Sequence, residues 1–399
     1  MPTITLQQCP KVYILETHRS KTPASTLQFI EKTGDLVGMR SFRDVTDLDR
    51  IGLPVFTCDR IRPDRSKTSH TGKGVSKTQA QVSLMMEAIE RYCSEYRDEY
   101  RHKLVVGSYR ELGKSVNTLD PQELILPAFS DFRAEQTLHW VQGFDINAQE
   151  EVLVPAAAVY HPFHLDEPSP IKTHTNGIAS GNTLEEAIFH AMTEVIERDA
   201  WSISKFNNDM NAALIVEDKP EYQFIIDLIG KFEAAAVEVT ARDLTTDIGV
   251  PVIAAFSQDT IHPNLVPFDG FGAHLDPRVA MARALLELAT TRAFFIQKHG
   301  IEGLQESISY RFRETEFEDP RFYAHEQKRL GEMESQYSAD ILEDITMLLK
   351  KLERCGLSKT IVVDLTRPDA AMPTVRVIMP GMEVYCFDSE RKGERLFRP

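Results

Sequence analysis

An α+β fold, one large domain over residues 1–399 with sheets packed on helices, is predicted by three observations. A hairpin pattern recurs four times, three copies run on through a glycine segment, and each of these three is followed by an apolar helical pattern. The hairpins are DVTDLDRIGLPVF (44–56), DINAQEEVLVPAA (145–157), DLTTDIGVPVIAA (243–255) and DLTRPDAAMPTVRV (364–377). Each has Asp, then polar or turn residues, then a small apolar run holding Pro54, Pro155, Pro251 or Pro373. The proline is expected at the start of the second strand, where its missing N–H costs least. The glycine segments HTGKGVSK (70–77), NGIASGNT (176–183) and DGFGAHLD (269–276) read as loops. Hairpin, glycine loop and helix recur at a spacing of about a hundred residues, too long for a solenoid, so the repeat reads as pseudo-symmetry inside one domain. The fourth hairpin has no such helix after it.

The helices are TQAQVSLMMEAIERYCSEY (78–96), LEEAIFHAMTEVIERDAWSIS (184–204) and PRVAMARALLELATTRAFFIQ (277–297). Positions i, i+4 and i+7 share one helix face. In the first helix that face carries Ser83, Glu87 and Glu90, with Arg91 adjacent. The second carries His190, Glu194 and Glu197, with Arg198 adjacent and Glu186 two turns before Glu194. On the third lie Arg283 and Glu287, then Thr290. The other faces are apolar, which predicts helices buried nearly all round. A Glu-x-x-Glu-Arg run also fits a solvated stripe of local salt bridges, but two copies set in apolar helices weigh against that. Carboxylates gathered in a dry site repel one another until they take up protons or cations. Their hard oxygens suit Mg²⁺, which bridges to substrate phosphates. Arg198 and Arg283 then have phosphate oxygens to meet.

The glycine segments stand just before helix N-termini, where backbone N–H groups favour anions. GKG (72–74) is not a Walker loop, and a plain turn explains it equally well. The histidines of YHPFH (160–164) and KTHTNG (172–177) lack partners at metal-ligand spacing and read as loop residues. Net charge is −15, which disfavours nucleic acid and membrane as partners. No apolar run approaches the ~20 residues of a membrane span, and no signal peptide is visible, so a cytoplasmic protein is expected. Five widely spaced cysteines without a C-x-x-C pair argue against a disulfide framework and read as structural. Residues 302–353 break the repeat, first polar and charged and then amphipathic (ILEDITMLLKKLERCGL), and read as a solvated helical insertion or flank.

Together, S-x-x-x-E-x-x-E-R at Ser83–Arg91, Asn-x3-Glu at Asn182–Glu186, E-x-x-E-R at Glu194–Arg198 and R-x-x-x-E at Arg283–Glu287 resemble the ATP-binding signature of the YcaO family. The resemblance runs from HRSKTPASTL (18–27) to VRVIMPGMEVY (375–385) and implies a single YcaO-type catalytic domain. It implies ATP and Mg²⁺ as cofactors, with Glu87, Glu90, Glu194 and Glu197 as metal-binding carboxylates. Ser83, Asn182, Glu186, Arg198, Arg283 and Glu287 resemble nucleotide contacts, and Arg19 and Thr26 match an N-terminal pair that reaches the nucleotide. The family activates a backbone amide by moving the γ-phosphoryl group of ATP onto the amide oxygen after a nucleophile adds. A Cys, Ser or Thr side chain as nucleophile gives an azoline; external sulfide gives a thioamide.

Azoline-forming members tend to end in P-x-P-x-P, whereas this chain ends LFRP, and no fused clamp domain precedes the first hairpin. The stretches LDRIGLPVF (48–56), GKG…MMEAIERY and VRVIMPGMEVY look most similar to methanogen-type members. That similarity implies a thioamide synthase acting on a glycine of the methyl-coenzyme M reductase α subunit, with a TfuA-like partner, a sulfide source and a homodimeric state. An azoline-forming cyclodehydratase of ribosomal peptides and a non-catalytic nucleotide-binding scaffold are the rival readings. The resemblance leaves the catalytic base unnamed; the Pro399 carboxylate is one candidate.

Overall fold

The aspartate that opens each repeat has one structural job, performed four times. Asp44, Asp145, Asp243 and Asp364 each end a strand, and each carboxylate accepts the backbone N–H two residues on, from Thr46, Asn147, Thr245 and Thr366, at 2.8–3.1 Å. This turn chemistry needs a short acceptor side chain at that position.

The computed structural model describes residues 4–62, 64–208, 212–265, 267–311 and 326–398. Along the chain run β1 (Tyr13–Ile14), β2 (His18–Arg19), α1 (Pro23–Ile30), β3 (Met39–Asp44), β4 (Val55–Ile61), β5 (Lys67–Lys73) and α2 (Lys77–Ser94). Then come β6 (Val105–Ser108), α3 (Tyr109–Leu112), β7 (Thr137–Asp145), β8 (Glu150–Pro155), α4 (Ala156–Val159), β9 (Ile178–Ser180) and α5 (Leu184–Asn207). The remainder is β10 (Ala213–Ile215), α6 (Gln223–Ala234), β11 (Val237–Asp243), β12 (Val252–Asp259), β13 (Asp269–Ala273), α7 (Pro277–Arg311), β14 (Gln327–Arg329), α8 (Ile341–Arg354), β15 (Ile361–Asp364) and β16 (Thr374–Ile378). The four expected hairpins and the three expected helices are present. A break at Gly300, where φ is 68°, interrupts α7.

The chain clusters into two compact units, each discontinuous in sequence. One holds Met1–Pro10, Ile89–Asn207 and Ser338–Pro399; the other holds Lys11–Ala88 and Asn208–Tyr337. In the second unit β3-β4-β5 form an antiparallel meander, and β13-β12-β11-β10-β14 form a five-stranded sheet. Its core brings Ile225, Phe232, Ile253, Leu285 and Leu288 together from α6, β12 and α7. A buried ion network fixes the β12 end: Arg292 donates to Asp49 at 2.8 Å and to Asp259 at 2.7 Å, and Arg50 donates to Asp259 at 2.6 Å. Burial alone pushes the Asp259 carboxyl up, but bonds from Arg50, the His262 N–H and Arg292 outweigh it and hold the group at about 2.

In the first unit the strand order is β6-β7-β15-β16-β9, with β8 paired to β7. This order accounts for the missing fourth helix. β16 pairs antiparallel with β9, the strand that leads into α5, so the last hairpin completes the sheet beside a helix the second repeat supplied.

Three expectations are corrected. The glycine segments are not loops: β5, β9 and β13 run through them, and each repeat is three strands and a helix. Glycine is needed because the following helix lies directly on the strand. A Cβ on Gly72 would overlap the Ala80 carbonyl and the Leu84 N–H, and one on Gly270 would overlap Ala284 and Leu288 backbone. Prolines 54, 251 and 373 immediately precede the second strand, but Pro155 is the last residue of β8. β8 pairs only with β7 among the described strands, so its outer edge tolerates the missing donor. Residues 302–353 are not simply solvated. β14 joins β10 in parallel, Leu330 is fully buried, and α8 buries Ile341, Ile345, Leu348 and Leu352. Residues 312–325 of that stretch lie outside the described residues, as does Pro399, the candidate terminal base.

Candidate functional site

In the first unit, the strand β9 and the helix α5 that follows it position five of the expected residues. Thr183 accepts the Glu186 N–H at 3.2 Å and so helps to start α5. Asn182 Nδ2 donates to both Glu186 oxygens, at 2.9 and 3.2 Å. Glu186 and Glu197 are both 3% exposed, deep enough that their charge requires partners. Arg198 Nη2 lies 3.4 Å from Glu197 Oε1, and the guanidinium also sits 5.2 Å from the Trp201 ring centre. Glu194, half-buried, accepts the Gly177 N–H at 2.9 Å. Glu90 from α2 accepts both the backbone N–H and the hydroxyl of Ser180, each at 2.9 Å. Ser180 was not legible as a site residue, because Ile-Ala-Ser reads only as an apolar link.

In the second unit, the N-terminal part of α2 holds Ser83 and Glu87, both half-buried. His70 on β5 approaches Glu87 Oε1 through Nδ1 at 3.1 Å, while its Nε2 meets the Thr68 hydroxyl at 2.8 Å. Lys73, at the end of the same strand, donates to Glu287 at 2.6 Å. The glycine segment therefore contributes His70 and Lys73 side chains to two expected carboxylates, a role its reading as a loop concealed.

Arg19 and Arg283, far apart in sequence, act on one buried group. His274 is held neutral, well below its ordinary pKa, by burial first, then by the neighbouring His18 imidazole and by the charges of Arg283, Lys11 and Arg19. His18 packs edge-on against it at 4.6 Å and is pushed to about 3 by burial and by Lys11. The Asp276 N–H donates to His274 Nδ1 at 2.9 Å, so the neutral ring keeps its proton on Nε2. Two uncharged imidazoles beside Lys11, Arg19 and Arg283 leave an environment suited to an anion. Thr26 is buried on α1, and its hydroxyl donates to the Thr22 carbonyl at 3.2 Å.

The donor set fits Mg²⁺ rather than a softer metal, because the expected ligands are carboxylate oxygens only. Among the described residues no three His, Cys, Asp or Glu side chains close into a cage. Mg²⁺ characteristically takes one or two carboxylates and completes its shell with water and phosphate. The histidines weighed as ligands have other partners: His161 meets Thr173 at 2.6 Å, His164 meets Glu167 at 3.0 Å, and His174 meets Arg376 at 3.2 Å. No disulfide joins any of the five cysteines. Burial raises the Cys9, Cys93 and Cys386 thiols and pushes Cys58 to about 12, so none of these four is poised as a thiolate. Among the described residues no helix is long and apolar enough to cross a membrane.

The family model described as YcaO cyclodehydratase, ATP- and Mg²⁺-binding, matches residues 71–383. An uncharacterized protein of Methanothermobacter thermautotrophicus is 38% identical over 394 residues, covering 94% of this chain and 97% of its own. An uncharacterized protein from the tfuA 3′ region of Rhizobium leguminosarum bv. trifolii is 27% identical, covering 92% and 89%. The structure of YcaO from Methanopyrus kandleri, bound with AMPPCP and Mg²⁺, superposes with a TM-score of 0.77 at 29% identity, covering 97% of this chain and 98% of that one.

Proposed function

The chain belongs to the YcaO family of ATP-dependent amide-modifying enzymes, with ATP and Mg²⁺ as cofactors, and from that premise we propose that it converts a backbone amide of a protein or peptide into a thioamide. The observation that carries the finer reading is the likeness to the protein of the tfuA region, which points to a TfuA-like partner and a sulfide source. The methanogen relative supports a glycine of the methyl-coenzyme M reductase α subunit as the substrate. A homodimer is part of the proposal.

In this reading Glu87, Glu90, Glu194 and Glu197 hold Mg²⁺. Ser83, Asn182, Glu186, Arg198, Arg283 and Glu287 contact ATP, with Arg19 and Thr26 reaching it from the N-terminal segment. The cofactor supplies a phosphoryl group that turns the amide oxygen into a leaving group and offsets its charge through the metal. The chain's own contribution is preorganisation. Backbone N–H groups of Gly177 and Ser180 fix the rotamers of Glu194 and Glu90 before any ligand arrives. Asn182 orients Glu186, and the Arg19–Arg283 neighbourhood draws in phosphate. Burial of Glu186 and Glu197 keeps water from screening these charges.

A second reading, azoline formation, is favoured by the family model's description as a cyclodehydratase. One experiment separates them. The protein is incubated with ATP, Mg²⁺, hydrosulfide and a peptide spanning the reductase glycine, and the peptide is weighed by mass spectrometry. Exchange of oxygen for sulfur supports thioamidation. Loss of water from a Cys, Ser or Thr peptide without sulfide supports the rival, and no change in any peptide with no ATP turnover refutes both.

A further inference from the structure

We infer that the cavity between β16 and the loop ahead of β9, in the first unit, is a binding site for a small, weakly hydrated monoanion, and that hydrosulfide is its occupant in the working enzyme. The second half of this statement rests on the thioamidation reading; the first does not.

The cavity is about 50 Å³ and is lined by Asn176, His174, Arg376 and Arg391 together with apolar side chains that include Val195 and Met379. Two arginines in one small cavity are costly to bury and call for compensation. Arg376 is 3% exposed and Arg391 4%. Burial lowers the pKa of both, that of Arg376 to about 9. Their known bonds leave donors over. Arg376 gives Nη1 to the His174 carbonyl at 2.7 Å and Nη2 to His174 Nδ1 at 3.2 Å. Arg391 gives Nε to the Ile125 carbonyl at 2.6 Å and Nη2 to the Leu124 carbonyl. Among the described residues nothing reaches Arg376 Nε, Arg391 Nη1 or Asn176 Oδ1, all fully buried atoms. An amide flip presents the Asn176 NH₂ instead of its oxygen, giving the cavity a third donor.

Charge and size narrow the occupant. Glu194 acts on Arg376, as does Arg91, Asp388 and Glu383 act on Arg391, and Glu123 joins the lining, so the charges nearly balance and leave room for a single negative charge at most. A void of this size holds a few water-sized groups at most, by the rule of roughly 10–15 Å³ per water. An apolar wall with a thioether disfavours a strongly hydrated dianion and tolerates a soft, polarisable one. Hydrosulfide and the heavier halides meet these conditions. The Gly177 N–H that binds Glu194 lies next to Asn176 in the chain, so this lining is continuous with a carboxylate already placed in the proposed metal set.

Bromide serves as the probe, because it binds without chemistry. Crystals of the full chain soaked in bromide are expected to give an anomalous peak at the Arg376–Arg391 cavity. The near-isosteric Asn176→Asp variant, which places a negative charge there, is expected to lose the peak. Arg391→Lys, which keeps the charge but removes the planar fork, is expected to raise the KM for hydrosulfide about tenfold while the KM for ATP stays put. Circular dichroism on both variants verifies folding. A peak with no sulfide consumption keeps the anion site and removes the thioamidation reading. Sulfide consumption with an unchanged KM in both folded variants, or no peak in the wild type, overturns the anion site and leaves that reading standing.

Discussion

Ser180 gives both its backbone N–H and its hydroxyl to a single oxygen of Glu90, each at 2.9 Å. Two donors on one carboxylate oxygen fix its direction, which is what a metal-binding carboxylate requires. Ser180→Ala removes one of them and leaves the backbone bond. A hydrogen bond to a charged group is worth about 1.5–3 kcal/mol, so Mg²⁺-dependent ATP affinity is expected to weaken by about tenfold or more. Titration of the folded variant with Mg²⁺ and an ATP analogue checks this, and an unchanged constant assigns the bond a purely structural role.

Gly72 and Gly270 separate from Gly230 in a stability test. A Cβ on either of the first two runs into helix backbone, whereas around Gly230, inside α6, nothing lies within 4 Å. Gly72→Ala and Gly270→Ala are expected to lose about 1–3 kcal/mol or more by overpacking. Gly230→Ala is expected to gain about 0.5–1 kcal/mol, because alanine loses less entropy in a helix. Urea unfolding of the three variants measures both signs.

The Arg292 network predicts a mutational and a pH effect. Arg292→Met leaves Asp49 buried without its main counter-charge and Asp259 with Arg50 alone, at a cost of about 3–5 kcal/mol. The folded Asp259 pKa, about 2, lies below its ordinary value, so its stabilisation is fully present above the ordinary carboxylate range. That stabilisation is lost as pH falls towards 2. Acid titration of stability should therefore be steeper in the wild type than in Asp259→Asn.

Arg198 and Arg283 are, with Arg19, the arginines assigned to ATP. Replacing either with Ala is expected to raise the KM for ATP at least about tenfold, with less effect on the KM for hydrosulfide. Equal effects on both constants would indicate general loosening of the fold.

Much of this was legible because the informative residues act locally. Asp44, Asp145, Asp243 and Asp364 make turns within two residues, and the Glu-x-x-Glu-Arg runs declare a helix face by spacing alone. What stayed hidden depends on distant partners. Glycine in NGIASGNT has the same composition whether it forms a loop or a strand pressed under a helix; the difference lies in residues such as Ala187, whose N–H a Cβ on Gly181 would overlap. The packing of α5 on both β9 and β16 follows from β16 pairing with β9, almost two hundred residues away, and no local pattern encodes it. His18 meeting His274 and Arg376 meeting His174 are likewise contacts between single residues without motif neighbours.

The most direct test of the central claim is calorimetric binding of a non-hydrolysable ATP analogue, with and without Mg²⁺, to the wild type and to the Glu87→Gln, Glu194→Gln double variant. Binding that requires Mg²⁺ and disappears in the folded double variant is the predicted result. Binding of equal strength in both proteins would contradict the assignment and make the acidic helices structural.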